Sequence, residues 1–285
     1  MAERTIWVIG PIAWDTVLYI SKLPSSGGFL HAREHQERPG GQAFNVASGI
    51  VGAGLPIRLV GALGDDIYAE KLRDAITKES LSVEFIQNLQ LPTPHVTILV
   101  DDSGERTMVG MEKGLLGDLD IKDLPVQAGD IVVWPFWNDA FLPLFERIRE
   151  ICFLVLGSNA LKSDRELSGD ILVISNEEID DQKTLDRALS HFTKIYITDG
   201  AHGSKMISKN NNLREAGRII PIVDTTGAGD AFLTGVVTGQ YLGFSEKDIL
   251  ELATTWASLT VQKAHSSPAA WSEVKKFLKL DQVNG

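Results

Sequence analysis

The chain has 285 residues, 44% of them hydrophobic, and carries 38 acidic against 27 basic side chains for a formal net charge of −11. That balance excludes the broad basic face of a nucleic-acid binder, and the apolar fraction excludes general disorder while supplying one sizeable core. The single cysteine, Cys152, excludes an internal disulfide and suits a reducing compartment.

The start, "MAERTIWVIGPIAWD", carries Glu3 and Asp15 with no long apolar stretch, so it does not read as a signal peptide. No apolar run approaches the roughly 20 residues of a membrane span, and a cytoplasmic location is expected. "TIWVIG" reads as a strand closing at Gly10, and "TVLYI" as a second run before the turn-rich "SKLPSSGG". Residues 29–38 are polar and irregular. "GGQAFNVASGIVGAG" reads as a helix start packed closely on a sheet, and "IRLVGALG" as a strand with a glycine exit. In "IYAEKLRDAITKE", the helical spacing places Ile67, Leu72 and Ile76 on one face. "HVTILVDDSGERTMVGM" reads as a β-hairpin turning over Asp102 to Glu105.

From Asp130 the pattern changes to the short apolar runs "DIVVW", "CFLVLG", "ILVI" and "KIYIT", with Cys152 read as an inert core thiol. They alternate with the helical segments "FLPLFERIRE" and "QKTLDRALSHF". Continuous apolar strands alternating with helices predict a mostly parallel sheet covered on both faces. "SKMISKNNNLREAGRIIPIVD" reads as an antiparallel excursion turning at Asn210 to Asn212, with "RIIPIVD" a strand. "DAFLTGVVTGQYLG" and "LELATTWASLTVQKA" read as the closing helices. The prediction is a single α/β domain over residues 1–285. Two β-rich pieces, approximately 15–38 and 95–111, break the rhythm and form a small projecting sheet.

The segment "VDTTGAGDAFLTG" carries the chemistry. A glycine loop between a strand and a helix lets successive N–H groups converge, and the helix dipole adds partial positive charge: an anion hole. Asp230 follows directly. A carboxylate beside an anion site is costly in the ground state unless it has work to do, such as taking a proton from an attacking hydroxyl. The alternative is a simple helix cap.

At this point the chain resembles the PfkB/ribokinase family of sugar and nucleoside kinases. "DTTGAGDAF" is similar to its C-terminal signature, "RPGGQAFNVASGIVGAG" to its N-terminal one, "VIGPIAWD" to its opening strand, and "ITDGAHG" to the segment over the nucleotide phosphates. The matches run in the family's order over residues 6–232. The resemblance implies a ribokinase-like three-layer α/β/α fold with a β-sheet lid, ATP and Mg²⁺ as cofactors, and transfer of the γ-phosphoryl to a hydroxymethyl group. It implies Asp230 as base, Gly227, Ala228 and Gly229 as the anion hole with the Asp230 N–H, and Asp15, Gly40, Gly41, Gln42 and Asn45 on substrate hydroxyls. Thr198, Gly200, Gly203, Thr225 and Asn176 would lie beside the nucleotide, with Gly227 and Gly229.

Three departures stand out. In "SNEEID", Ile179 falls where the family's metal-ordering Glu is usual, so Glu178 holds the metal through water by a one-residue shift, or the network differs, or the loop is merely acidic. Gln42 follows the second glycine. "KAHSSP" is a degraded form of a family loop that, with Asp224 and Thr226, binds a monovalent cation (K⁺) in some members.

For the acceptor, Trp134, Phe136 and Trp137 either stack on a sugar or base or pack at a strand end. Trp256 either lines the adenine pocket or fills core. Arg33, Arg38 and Arg106 either pair with a substrate anion or are solvated. The opening resembles kinases of ketohexose derivatives such as sulfofructose. The expectation is a sugar kinase dimerising through its lids; a nucleoside kinase and a catalytically silent sugar sensor are the alternatives.

Overall fold

The computed structural model describes residues 4–110 and 114–280. Glu3 and Met111, used in the sequence readings, lie outside them. The N-terminal half contains β1 (Ile6–Ile9), β2 (Ala13–Tyr19), β3 (Glu34–Gly40), α1 (Gln42–Gly52), β4 (Ile57–Leu63), α2 (Ile67–Lys78), β5 (Phe85–Asn88), β6 (His95–Val100) and β7 (Arg106–Val109). Then come β8 (Ile131–Phe136), α3 (Leu142–Ile148), β9 (Phe153–Ser158), β10 (Gly169–Ser175), α4 (Gln182–His191), β11 (Phe192–Thr198), β12 (Ser204–Ser208) and β13 (Asn212–Glu215). The helices α5 (Ala228–Leu242), α6 (Glu246–Thr260) and α7 (Trp271–Leu278) follow.

The main sheet has nine strands in the order β13-β12-β11-β10-β9-β8-β1-β4-β5, parallel from β5 to β11 and antiparallel through β12 and β13. Its strands are apolar on both faces because both faces are covered. On one side Val8, Leu59 and Val133 pack with Phe44 and Ile50 of α1, Leu72 of α2 and Val236 of α5. On the other, Ile9, Trp134 and Leu154 pack with Leu144 and Phe145 of α3 and Ala188 of α4. This is the expected α/β/α sandwich.

The lid is a separate four-stranded sheet, β3-β2-β6-β7, with its own small core of Val17, Ile98 and Val100. β2 pairs antiparallel with β3 and parallel with β6, so the two β-rich pieces of chain meet in one small sheet. The register sets Asp15 opposite Arg38, on the same face. Among the described residues no helix is long and apolar enough to cross a membrane.

Several local expectations change. Residues 34–40, polar enough to read as irregular, form β3 because β2 supplies the ladder partners. Residues 218–224 are not a strand: Ile219 and Ile222 are exposed, and Pro221 lacks an N–H for a ladder. That stretch is anchored at its start by the Arg218 side chain, which donates to Thr255 Oγ1 of α6 and pairs with Glu215, and at its end, where the N–H groups of Val223 and Asp224 donate to the Val261 carbonyl. Ile67 is exposed, since α2 buries Ala69, Leu72 and Ile76 instead. The hairpin turn starts one residue early, with the Gly104 N–H donating to the Asp101 carbonyl. Cys152 precedes β9, half-buried, and its Sγ donates to the Gln127 carbonyl. The strand β5 and helix α7 were not foreseen.

α5 and α6 approach most closely at Gly235, where an added Cβ would lie 2.5 Å from the Ala253 Cα. Gly235→Val is expected to destabilise the fold by about 1–3 kcal/mol in urea unfolding, as overpacking does. Gly52→Ala, facing open space near the end of α1, is expected to stabilise it by roughly 0.5–1 kcal/mol. Equal stability of Gly235→Val and wild type would refute the close packing of the two helices.

Candidate active site

The site forms where the carboxyl ends of the parallel strands, the N-terminus of α5 and the lid converge, as ligands do in open α/β sheets. Gly227 caps α5 with φ of 81°, and a Cβ there would fall 1.9 Å from the Ser266 carbonyl oxygen, so only glycine fits. Of the first-turn N–H groups after it, that of Ala228 donates to the Thr225 carbonyl at 3.3 Å, while those of Gly229 and Asp230 lack intrahelical partners and lie at the positive end of the helix dipole.

Asp230 is the third residue of α5 and does not cap it. Its Oδ2 accepts a hydrogen bond of 2.7 Å from Nδ2 of Asn45 on α1. Burial pushes the carboxyl up to about 6, although the Asn45 bond and the Arg106 charge oppose the shift. An acid with that value is mostly ionised at neutral pH yet a much better base than a free aspartate. Oδ1 of Asn45 is buried and has no partner, an acceptor left over beside the base.

Asp15, on β2, is 5% exposed. Burial raises its carboxyl to about 7; Arg38 opposes the rise, and Asp230 and Asp224 add to it. Gly40 makes room for this group, since a Cβ at residue 40 would sit 2.2 Å from Oδ2 of Asp15. Gly41 then turns the chain into α1 with φ of 88°, and Gln42 is its first residue. The structure thus gathers Asp15, Gly40, Gly41, Asn45 and Asp230 around one space.

Two arginines bind the lid to the glycine loop. Arg38 of β3 donates from Nη1 to Oδ2 of Asp224 at 3.0 Å, with both side chains buried. Oδ1 of Asp224 accepts from the Thr226 N–H at 2.8 Å. Arg106 of β7 donates from Nη1 to Oγ1 of Thr225 at 2.8 Å. Arg33 pairs with Asp102 at the exposed rim, in keeping with the solvated reading.

The residues expected beside a nucleotide line the ends of β10 and β11, where the register pairs Ser175 with Thr198. Gly200 and Gly203 follow Thr198 with positive φ. Oδ1 of Asn176 accepts from Lys205 Nζ at 3.3 Å. Glu178 closes a capping box: Oε2 accepts from the Ser175 N–H at 2.9 Å and Oε1 from the Asn159 N–H at 3.3 Å. Among the described residues no group of three or more His, Cys, Asp or Glu gathers as a metal site.

Of the three aromatic side chains, Trp134 and Trp137 take the packing alternative, while Phe136 at the end of β8 is partly exposed. Trp137 is 1% exposed and Trp134 is 0% exposed. They pack edge-to-face, with Phe141 and Phe145 around Trp137, on the side of the sheet away from α1 and α5. Nε1 of Trp137 is spent on Asp139. Neither indole presents a face to a substrate. Trp256 is core as well, stacked on Trp271 at 5.1 Å with Nε1 donating to the Ala269 carbonyl. What sequence reasoning missed is the Arg38–Asp224 pair. Both residues had been singled out, but 186 positions separate them and no local pattern joins them.

The raised Asp15 carboxyl has a consequence for stability. Its folded value of about 7 lies above the ordinary 3.8. Between about pH 4 and about pH 7 the folded chain therefore binds more protons at this group than the unfolded chain, and stability falls as pH rises through that window. Asp15→Asn should lack this fall. Urea unfolding from pH 4 to 7 should show wild type losing stability relative to the variant; parallel profiles would refute it.

Comparison with known proteins agrees with this architecture. The model of the pfkB family carbohydrate kinases matches residues 4–134 and 135–272. The chain is 24% identical over 307 aligned positions to a ribokinase of Dictyostelium discoideum, covering 92% of this chain and 95% of that protein. The nucleoside kinase of Methanocaldococcus jannaschii, an archaeal member of the ribokinase family, superimposes with a TM-score of 0.83 at 17% identity, covering 97% of this chain and 98% of its own. A fructokinase double mutant of Vibrio cholerae, solved with fructose, ADP and a potassium ion bound, gives a TM-score of 0.78 at 18% identity over 97% of this chain and 98% of its own. With both halves matched to one family model and the same layers and lid in the structure, the chain belongs to the pfkB family of carbohydrate kinases.

Proposed function

We propose that this chain is an ATP-dependent phosphotransferase acting on a hydroxymethyl group of a sugar or sugar derivative, with Asp230 as the base. The observation that carries the reading is the Asp230 carboxylate, held by Asn45 in the first turn of a glycine-capped helix and raised by burial to about 6. A simple binding protein has no use for a carboxylate at an anion hole, which speaks against the silent sensor.

In the proposed step Asp230 takes the proton of the acceptor hydroxyl as its oxygen bonds to the γ-phosphorus, and the bond from that phosphorus to the bridging oxygen breaks to release ADP. The N–H groups of Gly229 and Asp230 stabilise charge on the phosphoryl oxygens in flight. Asp15 and the free Oδ1 of Asn45 accept from acceptor hydroxyls and fix which one faces the base. Thr198, Gly200 and Gly203, at and after the end of β11, and Thr225, in the loop before α5, are proposed beside the nucleotide.

Magnesium fits this donor set as an ion carried chiefly by phosphates and water, since such ions need few protein ligands. Asn176 and Glu178 are the residues proposed to order its waters, and Glu178 keeps lone pairs free beyond its two backbone bonds. When bound, the ion supplies charge neutralisation on the phosphates. A cytoplasmic setting suits the lone Cys152, whose thiol burial pushes up to about 11 and so makes unreactive.

On the acceptor, Arg106 is the arginine open to an anionic substituent, because Arg38 is committed to Asp224. A phosphorylated or sulfonated sugar, such as a ketohexose derivative, therefore stays within the proposal. The nucleoside kinase of Methanocaldococcus jannaschii supports a nucleoside acceptor as the second reading, but with Trp134 and Trp137 buried it lacks the aromatic platform it needed.

An ADP-release screen with ATP and Mg²⁺ over ketoses, aldoses, phosphorylated and sulfonated sugars and nucleosides should give a substrate. Asp230→Asn should then lose about 10²–10⁴-fold in kcat, and the wild-type kcat should fall on the acid side with an apparent pKa of about 6. Undiminished turnover in Asp230→Asn would end the base assignment. The proposed dimer would join the lids along β7, where Met108 and Val109 are exposed on an unpaired edge. Light scattering at micromolar concentration should give the mass of two chains, and a monomer mass would refute it.

A further inference from the structure

The family resemblance implied a monovalent cation at Asp224 and Thr226, and the residues present do not fit one. Asp224 is 0% exposed, and each of its oxygens is already engaged, Oδ2 by Arg38 and Oδ1 by the Thr226 N–H. The segment after α6, which would help enclose an ion there, is already tied to Asp224 and to the backbone beside Arg38. The Val261 carbonyl takes the Asp224 N–H, and Ser266 Oγ donates to the carbonyl of Pro39, next to Arg38. A guanidinium and a potassium ion cannot share that enclosure, since two like charges in low dielectric repel strongly.

The charges around the enclosure point the same way. Asp15 and Asp224 are buried and Asp230 stands close by, while Arg38 is the buried basic side chain among the described residues. Nε and Nη2 of Arg38 are also buried and find no acceptor. A bridge retained only for packing would use the whole guanidinium fork, because orphaned buried donors are costly. What this arginine supplies is its charge, placed three residues before Gly227 in the chain through Asp224.

We propose that Arg38 is the built-in counter-cation of the anion-hole loop: its guanidinium stands where a monovalent ion would bind, holds Asp224 and the Thr226 N–H in place, and frees the protein from any potassium requirement. Arg38 is thus a positioning residue, acting on the hole through Asp224. Because it comes from β3, the same bond couples the hole to the lid. An enzyme that recruits a diffusible ion gains this geometry only when the ion is present; here the cation is tethered.

The inference rests on the proposed kinase reading only for its activity arm. The first test needs no acceptor. Wild type and Arg38→Ala are melted in 100 mM potassium chloride (roughly the ionic strength of a cell) and in N-methylglucamine chloride of equal strength. Wild type should melt at the same temperature in both salts. Arg38→Ala should melt several degrees higher in potassium, as the vacated enclosure takes the ion. In the activity arm, with the acceptor found by the screen, Arg38→Ala should lose at least 10-fold in kcat without potassium. Potassium or guanidinium ion should restore much of that loss, Arg38→Lys should lose less, and wild type should ignore the salt. A potassium-specific rise in the wild-type melting temperature or kcat would overturn the inference. So would an Arg38→Ala variant that melts alike in both salts. Should Arg38→Ala fail to fold, Arg38→Gln takes its place, and the wild-type measurement decides by itself. Screen failure with the melting pattern intact would count against the kinase reading alone.

Discussion

The site is organised around negative charge brought out of water. Asp15, Asp224 and Asp230 crowd one end of the sheet, and the Asp15 carboxyl is raised to about 7 chiefly by burial, with the Asp230 and Asp224 charges adding to the rise. Burying such groups is tolerable only with compensation. Arg38 compensates by charge, the Asn45 amide by a hydrogen bond, and the start of α5 by its dipole. The compensation is uneven. Asp224 is paired outright, whereas Asp230 keeps one bond and a value of about 6.

Those compensating groups come from different layers, and this fixes how the molecule is assembled. Asn45 belongs to α1 and Asp230 to α5, so their bond crosses two helices on the same face of the sheet. Arg38 and Arg106 belong to opposite edges of the lid, and both reach the short loop before α5. The lid is also pinned to α2, where Lys71 pairs with Glu37 and Tyr68 lies against Trp14 and His95. The small sheet and the loop before α5 are therefore joined through Arg38 and Arg106 together. Of the two, the Arg38 link is the stronger, being charged at both ends and shielded from solvent.

Close packing sets the remaining limits. The Ser266 carbonyl occupies the space a side chain at residue 227 would need, and Asp15 occupies that at residue 40. The two glycine signatures are thus steric records of groups that arrive from distant parts of the chain. The same logic disposes of the tryptophans: Trp134 and Trp137 follow one strand end, but alternation along β8 and the turn after it send both indoles into the α3 side of the core.

Local chemistry made much of this legible in the sequence. Period and punctuation identified the parallel strands other than β5, the helices α1, α2, α5 and α6 and the hairpin of β6 and β7, since each depends on neighbours within a few residues. The glycines before Asp230 announced the start of α5 for the same reason. The polar β3 was hidden because its ladder partner lies in β2, and residues 218–224 misled because an apolar run with no partner strand stays irregular. Whether a tryptophan meets ligand or core, and whether Arg38 faces water or Asp224, depends on the layer to which the fold delivers it. The sequence by itself determined which residue types were on hand and the short-range structure around them. Only the tertiary structure decided which charges share one dry enclosure, because that choice is made by long-range packing, across 186 positions in the case of Arg38 and Asp224.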